Sequence, residues 1–269
     1  MPSQVWGRDP QEAYENPYEY AIQAQFAREA RALLKQSYLL LVADRHTYTG
    51  AERTPQKAVW MLHMDALDAL QDAQDALARK RHRVAGKLFR NVMESLDLAA
   101  YFHDGNTRSA EDLAIWYADG WVPHGHYRDH IHRTEGSAAA AHKNAQYKNL
   151  SKFVHRSYRA ILDGYSSGVG DRLVHDGRGQ KFGDEEWADT MLVFPQVISS
   201  YYAALAELIL ASFLPEIVRL GTASKTDVLS ALDLSLEKET VKRRFMPRQW
   251  LNEILDIETD QSREGEESG

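Results

Sequence analysis

Apolar residues recur along most of this chain at spacings of three and four, the period of helices that bury one face. A first helix is predicted from Tyr18 to about Ala43. Thr54-Pro55 supplies an N-cap followed by a proline at the first helical position, opening a second helix that runs to about Arg81. Its inward seam reads Trp60, His63, Leu67, Leu70, Gln74 and Leu77. A third helix covers about Val84 to His103, and Ser109 with Asp112 reads as a capping box for a short helix ending at Tyr117. His124–Arg133 predicts a short or irregular helix, and Gly136–Asp163 one long helix or two end to end. In the glycine-rich stretch Gly164–Gly183, the segment Arg172–Phe182 predicts a small hairpin about Asp176-Gly177. Trp187–Leu220 is a long apolar helix, bent or interrupted at Pro195 and Pro215, and Ser224–Lys238 and Pro247–Leu255 close the chain. The predicted fold class is all-α: a single-domain bundle of about seven to nine helices over residues 1–252, with one glycine-rich loop or small hairpin.

The third helix departs from simple amphipathicity. Arg90, Glu94, Asp97 and Tyr101 fall within an arc of roughly 60° at helical pitch, while Leu88, Phe89, Val92, Met93, Leu96 and Phe102 cover much of the rest. A helix apolar on nearly every side is buried. Its charged stripe then has to meet partners or line a cavity, because unpaired buried charge is costly. The expectation is that the stripe is internal and faces the helix carrying Ser151 and His155.

Charge and composition narrow the classes. Cysteine is absent, which excludes disulfides, thiolate zinc sites and thiol nucleophiles. Net charge is −7, of which −6 belongs to residues 253–269, leaving −1 on the preceding 252 residues. That end is predicted to be an acidic, disordered tail. The basic runs ARKRHRVAGKLFR and KETVKRRFMPR do not make the chain a general nucleic-acid binder, whose signature is a basic domain. The start lacks the basic and apolar regions of a secretory signal. The greasiest run, VISSYYAALAELILASFL, carries Glu207 and two tyrosines and reads as a core helix. The expected compartment is the cytoplasm, with no membrane partner and no cofactor.

Two constellations carry chemistry. His124, His126, His130 and His132 lie within nine residues, and on a helix His126 and His130 share a face, a spacing that can hold a transition metal; the alternative is a pH-sensitive polar segment over the core. In YKNLSKFVHRSYRAIL, Ser151 and His155 stand at the edge of the apolar face, with Lys152, Arg156 and Arg159 on the opposite, basic side. His155 there can bridge to Glu94 or Asp97, or act as a general acid–base beside a bound phosphate; the alternative is a buried network that fixes helix register. Asp65, Asp68, Asp72 and Asp75 lie opposite the second helix's seam and read as a solvated face, and His63 reads as a hydrogen-bonded core histidine.

The segments LFRNVMESLDLAAYF and YKNLSKFVHRSY resemble the Arg-x-x-x-Glu helix and the Tyr-x-x-x-Ser-x-x-x-His helix of bacterial helical proteins similar to the HEPN superfamily, over roughly residues 55–165. The resemblance implies an all-α bundle from a bacterial defence or toxin-related system, with Arg90, Glu94, Ser151 and His155 as site positions. Active HEPN ribonucleases carry an arginine followed by a histidine after four to six intervening residues; this chain has no such ordered pair, the nearest being Arg128 followed by His132 after three. Three functional readings follow. The first is a helical interaction or regulatory protein with a protein partner or a second copy of itself. The second is an RNA-binding protein or metal-independent ribonuclease, with His155, Arg90 and Glu94 catalytic and Lys152, Arg156 and Arg159 on RNA. The third is a metal-binding protein using His126 and His130.

Overall fold

The computed structural model describes residues 19–44, 47–79, 81–155, 158, 161, 165–167, 173–175, 201–202 and 204–235. The chain is an all-α bundle, with one small hairpin among the described residues. Helix α1 (Glu19–Leu41) ends in a 3-10 turn, and α2 (Pro55–Ala78) and α3 (His82–Asp104) form the central helical pair. Then come α4 (Thr107–Tyr117), α5 (His124–Thr134) and α6 (Gly136–Val154). The strands β1 (Tyr165–Ser167) and β2 (Leu173–His175) follow; a π-helical turn, Leu208–Phe213, then leads into α7 (Leu214–Arg219), and α8 is Lys225–Ser235.

Small residues explain why α2 and α3 are the most extensively packed pair. Ala58, Ala66, Ala73, Ala85 and Ala99 are fully buried, letting the two backbones approach closely while Leu67, Leu70, Phe89 and Val92 fill the space beside them. The larger core spreads from this pair to α1, the π-turn, α7 and α8; a second cluster around Val59, Tyr101, Phe102, Leu113 and Tyr127 ties in α4 and α5. Of the predicted seam on α2, all but the half-buried Trp60 are buried, and His63 bonds Thr222 Oγ1 through Nδ1 at 2.8 Å. Asp65, Asp68, Asp72 and Asp75 are exposed.

Thr54 caps α2 as its sequence predicts, its hydroxyl accepting from the Lys57 amide at 3.3 Å. The cap of α4 is different: it is Asn106, whose Oδ1 accepts from the Ser109 amide at 3.0 Å. Ser109 is already inside the helix and Asp112 faces the core, so the two do not form a capping box. The hairpin also shifts. Ser167 pairs with Leu173 and Tyr165 with His175, so the paired strands precede Asp176-Gly177 in sequence, and that dipeptide lies outside the described residues. Pro215 does interrupt its helix: it has no N–H, and its ring crowds the carbonyl one turn back, which the wider π-turn ahead of it relieves. Helix α6 ends at Val154, within the predicted Gly136–Asp163, and Tyr158 and Ile161 beyond it are again helical. Pro195, the Pro247–Leu255 helix and the tail 253–269 lie outside the described residues. Among the described residues no helix is long and apolar enough to cross a membrane.

A buried lysine closes the entrance to α2. Lys57 Nζ donates to the carbonyls of Thr49 (2.7 Å), Gly50 (3.1 Å) and Glu52 (3.0 Å), backbone acceptors that no helix satisfies. The end of α4 is pinned to the same place: Arg53 donates to the Tyr117 carbonyl at 2.6 Å, and the Tyr117 hydroxyl donates to the Thr54 carbonyl at 2.7 Å. Lys57→Met keeps the aliphatic stem and removes all three donors. It is expected to cost about 2–4 kcal/mol, read as a fall in the urea midpoint, and a midpoint within error of wild type contradicts this role.

Candidate functional site

The polar stripe of α3 meets α6 residue by residue. Arg90 Nε donates to Glu94 Oε1 at 2.9 Å, and the Tyr147 hydroxyl donates to the same oxygen at 2.5 Å while contacting the Arg90 guanidinium. One turn along, Lys143 Nζ reaches Asp97 Oδ1 at 3.2 Å and Glu135 Oε1 at 2.9 Å. Glu94 thus meets Tyr147 and Asp97 meets Lys143, so α6 runs antiparallel to α3 with its own one-turn spacing matched to the stripe. Tyr101, at the far end, donates to Asp112 Oδ2 of α4 at 2.6 Å, and the same oxygen lies 2.7 Å from His126 Nδ1.

Helix α5 closes the network from the side. His124 and Arg128, one turn apart, point at Tyr147: the Arg128 guanidinium lies 4.1 Å from the Tyr147 ring centroid, and that of Arg90 lies 4.6 Å from it. The rings of His124 and Tyr147 meet edge-on at 5.9 Å, and His124 also contacts the Tyr127 hydroxyl. Burial holds the His124 imidazole below its usual pKa, opposed by Glu94 and aided by Arg128 and Arg90.

Beyond Asp97 the network opens into a cleft of about 680 Å³ bounded by α3, α5, α6 and the π-turn and α7. Its wall carries Asp97, Asp104, Glu135, Lys143, Glu216 and Arg219, with Met93, Leu96 and Ala100 between them. Burial pushes the Asp97 carboxyl up from 3.8 to about 6; Lys143 opposes this, and Glu135 and Glu216 reinforce it. Burial also pulls at the Lys143 ammonium, but Asp97, Glu135 and Glu216 outweigh that and hold it above its ordinary value. Burial, reinforced by two neighbouring carboxylates, accounts for the Asp97 shift, and three carboxylates around one ammonium account for that of Lys143.

The predicted site residues separate. Arg90 and Glu94 stand together in the network, the arginine side chain 16 % exposed and the carboxylate 27 %, so this half of the stripe is reached by solvent while Asp97 and Tyr101 are buried. Ser151 is half-buried. His155 is exposed at the end of α6, beside the exposed Lys152, and makes no contact with Glu94 or Asp97; Tyr147 and Lys143 occupy those places. Arg156 and Arg159 lie outside the described residues. His126 is committed to Asp112, and His130, one turn on, faces Asp104 at 3.5 Å. Among the described residues no group of three or more histidines or carboxylates is placed to hold a metal ion. Lys143, Glu135, Glu216 and Arg219 were not singled out from the sequence. The signal for Lys143 was its position one turn before Tyr147, matching the step from Asp97 back to Glu94.

No family model matches the chain, and no curated protein or solved structure matches it.

Two outcomes test this electrostatic account. Glu94→Ala leaves Arg90 and the Tyr147 hydroxyl without their shared acceptor, but water reaches both; a cost of about 1–2 kcal/mol in the urea midpoint is expected, smaller than for a sealed pair. Between pH 3.8 and about 6, folded Asp97 holds a proton that the unfolded chain has released, so this carboxyl favours the fold as pH falls and penalises it above about 6. His63, lowered by burial from 6.5 to about 3, acts in the opposite sense, its contribution being lost as pH falls. Asp97→Asn removes only the first effect. The variant is expected to lose stability faster than wild type from pH 6 to 4, the gap growing by up to about 1.4 kcal/mol per pH unit. Parallel pH profiles of urea midpoints contradict the assignment.

Proposed function

We propose that this chain is a helical interaction or regulatory protein, of the kind its resemblance to HEPN-like proteins of bacterial defence systems suggests, and that it engages another protein chain through the corner between α4 and α5. The observation that carries this reading is Trp121, which is 71 % exposed at that corner. Its ring rests edge-on against His124 at 6.0 Å, and His124 in turn packs on Tyr127 and Tyr147. An exposed tryptophan braced by a rigid polar network is the kind of anchor that protein interfaces concentrate their binding energy on. Ile115, also exposed, enlarges the apolar surface on α4. The stripe residues support the same reading, since Arg90, Glu94, Asp97 and Tyr101 all find partners within the chain. They act as a frame that holds α4, α5 and α6 in place.

Site-specific photo-crosslinking in cells tests this reading. A photoreactive residue at position 121 is expected to give one dominant protein adduct, either a second copy of the chain or another protein, and the same probe at the exposed position 87 none. Adducts to RNA from position 152 or 155, with no protein adduct from 121, replace this reading with the RNA-binding one. No adduct from position 121, or equal adducts from 121 and 87, removes the proposed corner.

A further inference from the structure

The cleft beside α3 carries more negative than positive charge. Its carboxylates are Asp97, Asp104, Glu135 and Glu216, and its permanent cations are Lys143 and Arg219. Lys143 is shared between Asp97 and Glu135, and Arg219 is held by Glu216, with Nε to Oε2 at 2.8 Å. Among the described residues Asp104 has a hydrogen bond from the Asn106 side-chain amide and its approach to His130. His130 is 4 % exposed, and its buried Nδ1 finds no hydrogen-bond partner among the described residues, although Asp104 Oδ2 lies 3.5 Å away. Burial holds this imidazole below its usual pKa and so disfavours the imidazolium that would form an ion pair with Asp104. A buried polar atom without a partner marks a place where a partner is missing.

The chemistry of the wall selects the ligand. About 680 Å³ is far more than a bare ion fills, and the described residues offer no metal-binding group of three. Met93, Leu96 and Ala100 add an apolar wall between the acidic groups, which suits methylenes. An ammonium carries three donors and full positive charge, enough to serve a carboxylate and an imidazole lone pair together. We propose that the cleft binds a linear aliphatic diamine or polyamine, with one ammonium between Asp104 and His130 Nδ1 and the other at the Asp97–Glu135–Glu216 cluster. The methylene chain lies along Leu96 and its apolar neighbours. The pairing at Asp97 agrees with this, since a second cation supplies what Asp97 and Glu135 lack when they share Lys143. This site goes beyond the interaction reading and does not depend on it.

Calorimetric titration of the full chain at low salt tests the site, with 1,4-diaminobutane and spermidine as probes and butylamine and magnesium chloride as controls. Both polyvalent amines are expected to bind saturably at one site and to raise the thermal midpoint of the wild-type chain. Asp104→Asn and Glu135→Gln, each at a partly exposed carboxylate, are expected to weaken that binding about tenfold with helicity unchanged in circular dichroism. No saturable binding of either amine overturns the proposal, as does affinity unchanged in both variants. Equal affinity for butylamine or magnesium overturns it too, because the site is then only a general attraction for cations. Should a variant fail to fold, the wild-type comparison of diamine, butylamine and magnesium decides the question alone.

Discussion

Carboxylates on a helix that is otherwise apolar are the constraint around which this bundle is arranged. Helix α3 buries Phe89, Val92, Leu96, Ala99 and Phe102 against its neighbours, and between them it carries Glu94 and Asp97. Asp97 goes into the interior with the apolar face and Glu94 sits at its partly solvated edge, and both are held where donors meet them. Tyr147 and Lys143 of α6 supply the donors, and α5 brings Arg128 and His124 to the same ring. The position of α6, and through it that of α5, follows from this one requirement. The apolar contacts alone leave many sliding positions open; the match of Glu94 to Tyr147 and Asp97 to Lys143 selects one register.

The same constraint creates the cleft. Asp97 is met by a single lysine that Glu135 also claims, so the charge balance on that side of the stripe does not close. On the other side, Glu94 is met by Arg90 and Tyr147. The two halves of one stripe therefore do different work. The Glu94 half ties helices together and braces the corner from which Trp121 projects. The Asp97 half lines a space that holds excess negative charge and an imidazole nitrogen without a hydrogen-bond partner among the described residues. The wider turn ahead of Pro215 places Ala211 and Ser212 on the far side of this space, so the break in that helix is also part of the cleft wall.

Elsewhere, local polar chemistry decides how segments without regular structure are held. Lys57 gathers three carbonyls of the loop ahead of α2, and Trp60 Nε1 donates to the Leu41 carbonyl at 2.8 Å, fixing the end of α1 to the start of α2. Gly105 ends α3 in the left-handed region at φ 64°, which a residue without Cβ adopts at low cost. Asn106 then caps the next helix. The turn from α3 to α4 is thus a glycine stop followed directly by an asparagine start.

What the sequence determined by itself is the part that depends on period and on local signals. Helical spacing places the elements from α1 to α8 among the described residues, the Thr54-Pro55 pair opens α2, and the narrow stripe identifies α3 as the helix with a polar interior partner. The carboxylate ladder on α2 and the core histidine at position 63 are legible for the same reason: a residue's side of its own helix depends only on its neighbours along the chain. Which partner meets a charge is a different kind of question. His155 and Tyr147 lie two turns apart on the predicted helix, and either could have faced Glu94; the end of α6 at Val154 and the packing of α5 against it put Tyr147 there and left His155 outside. Asn106 displaced Ser109 as the cap because Tyr101 and His126 claimed Asp112 for the interior. Nothing local marks Glu135, Glu216 or Arg219 as neighbours of Asp97, since Glu135 reaches the cleft from the junction of α5 and α6 and the other two from α7. Tertiary structure decided these pairings because the energy of a buried charge depends on groups distant in sequence, and pattern along one helix carries no record of them.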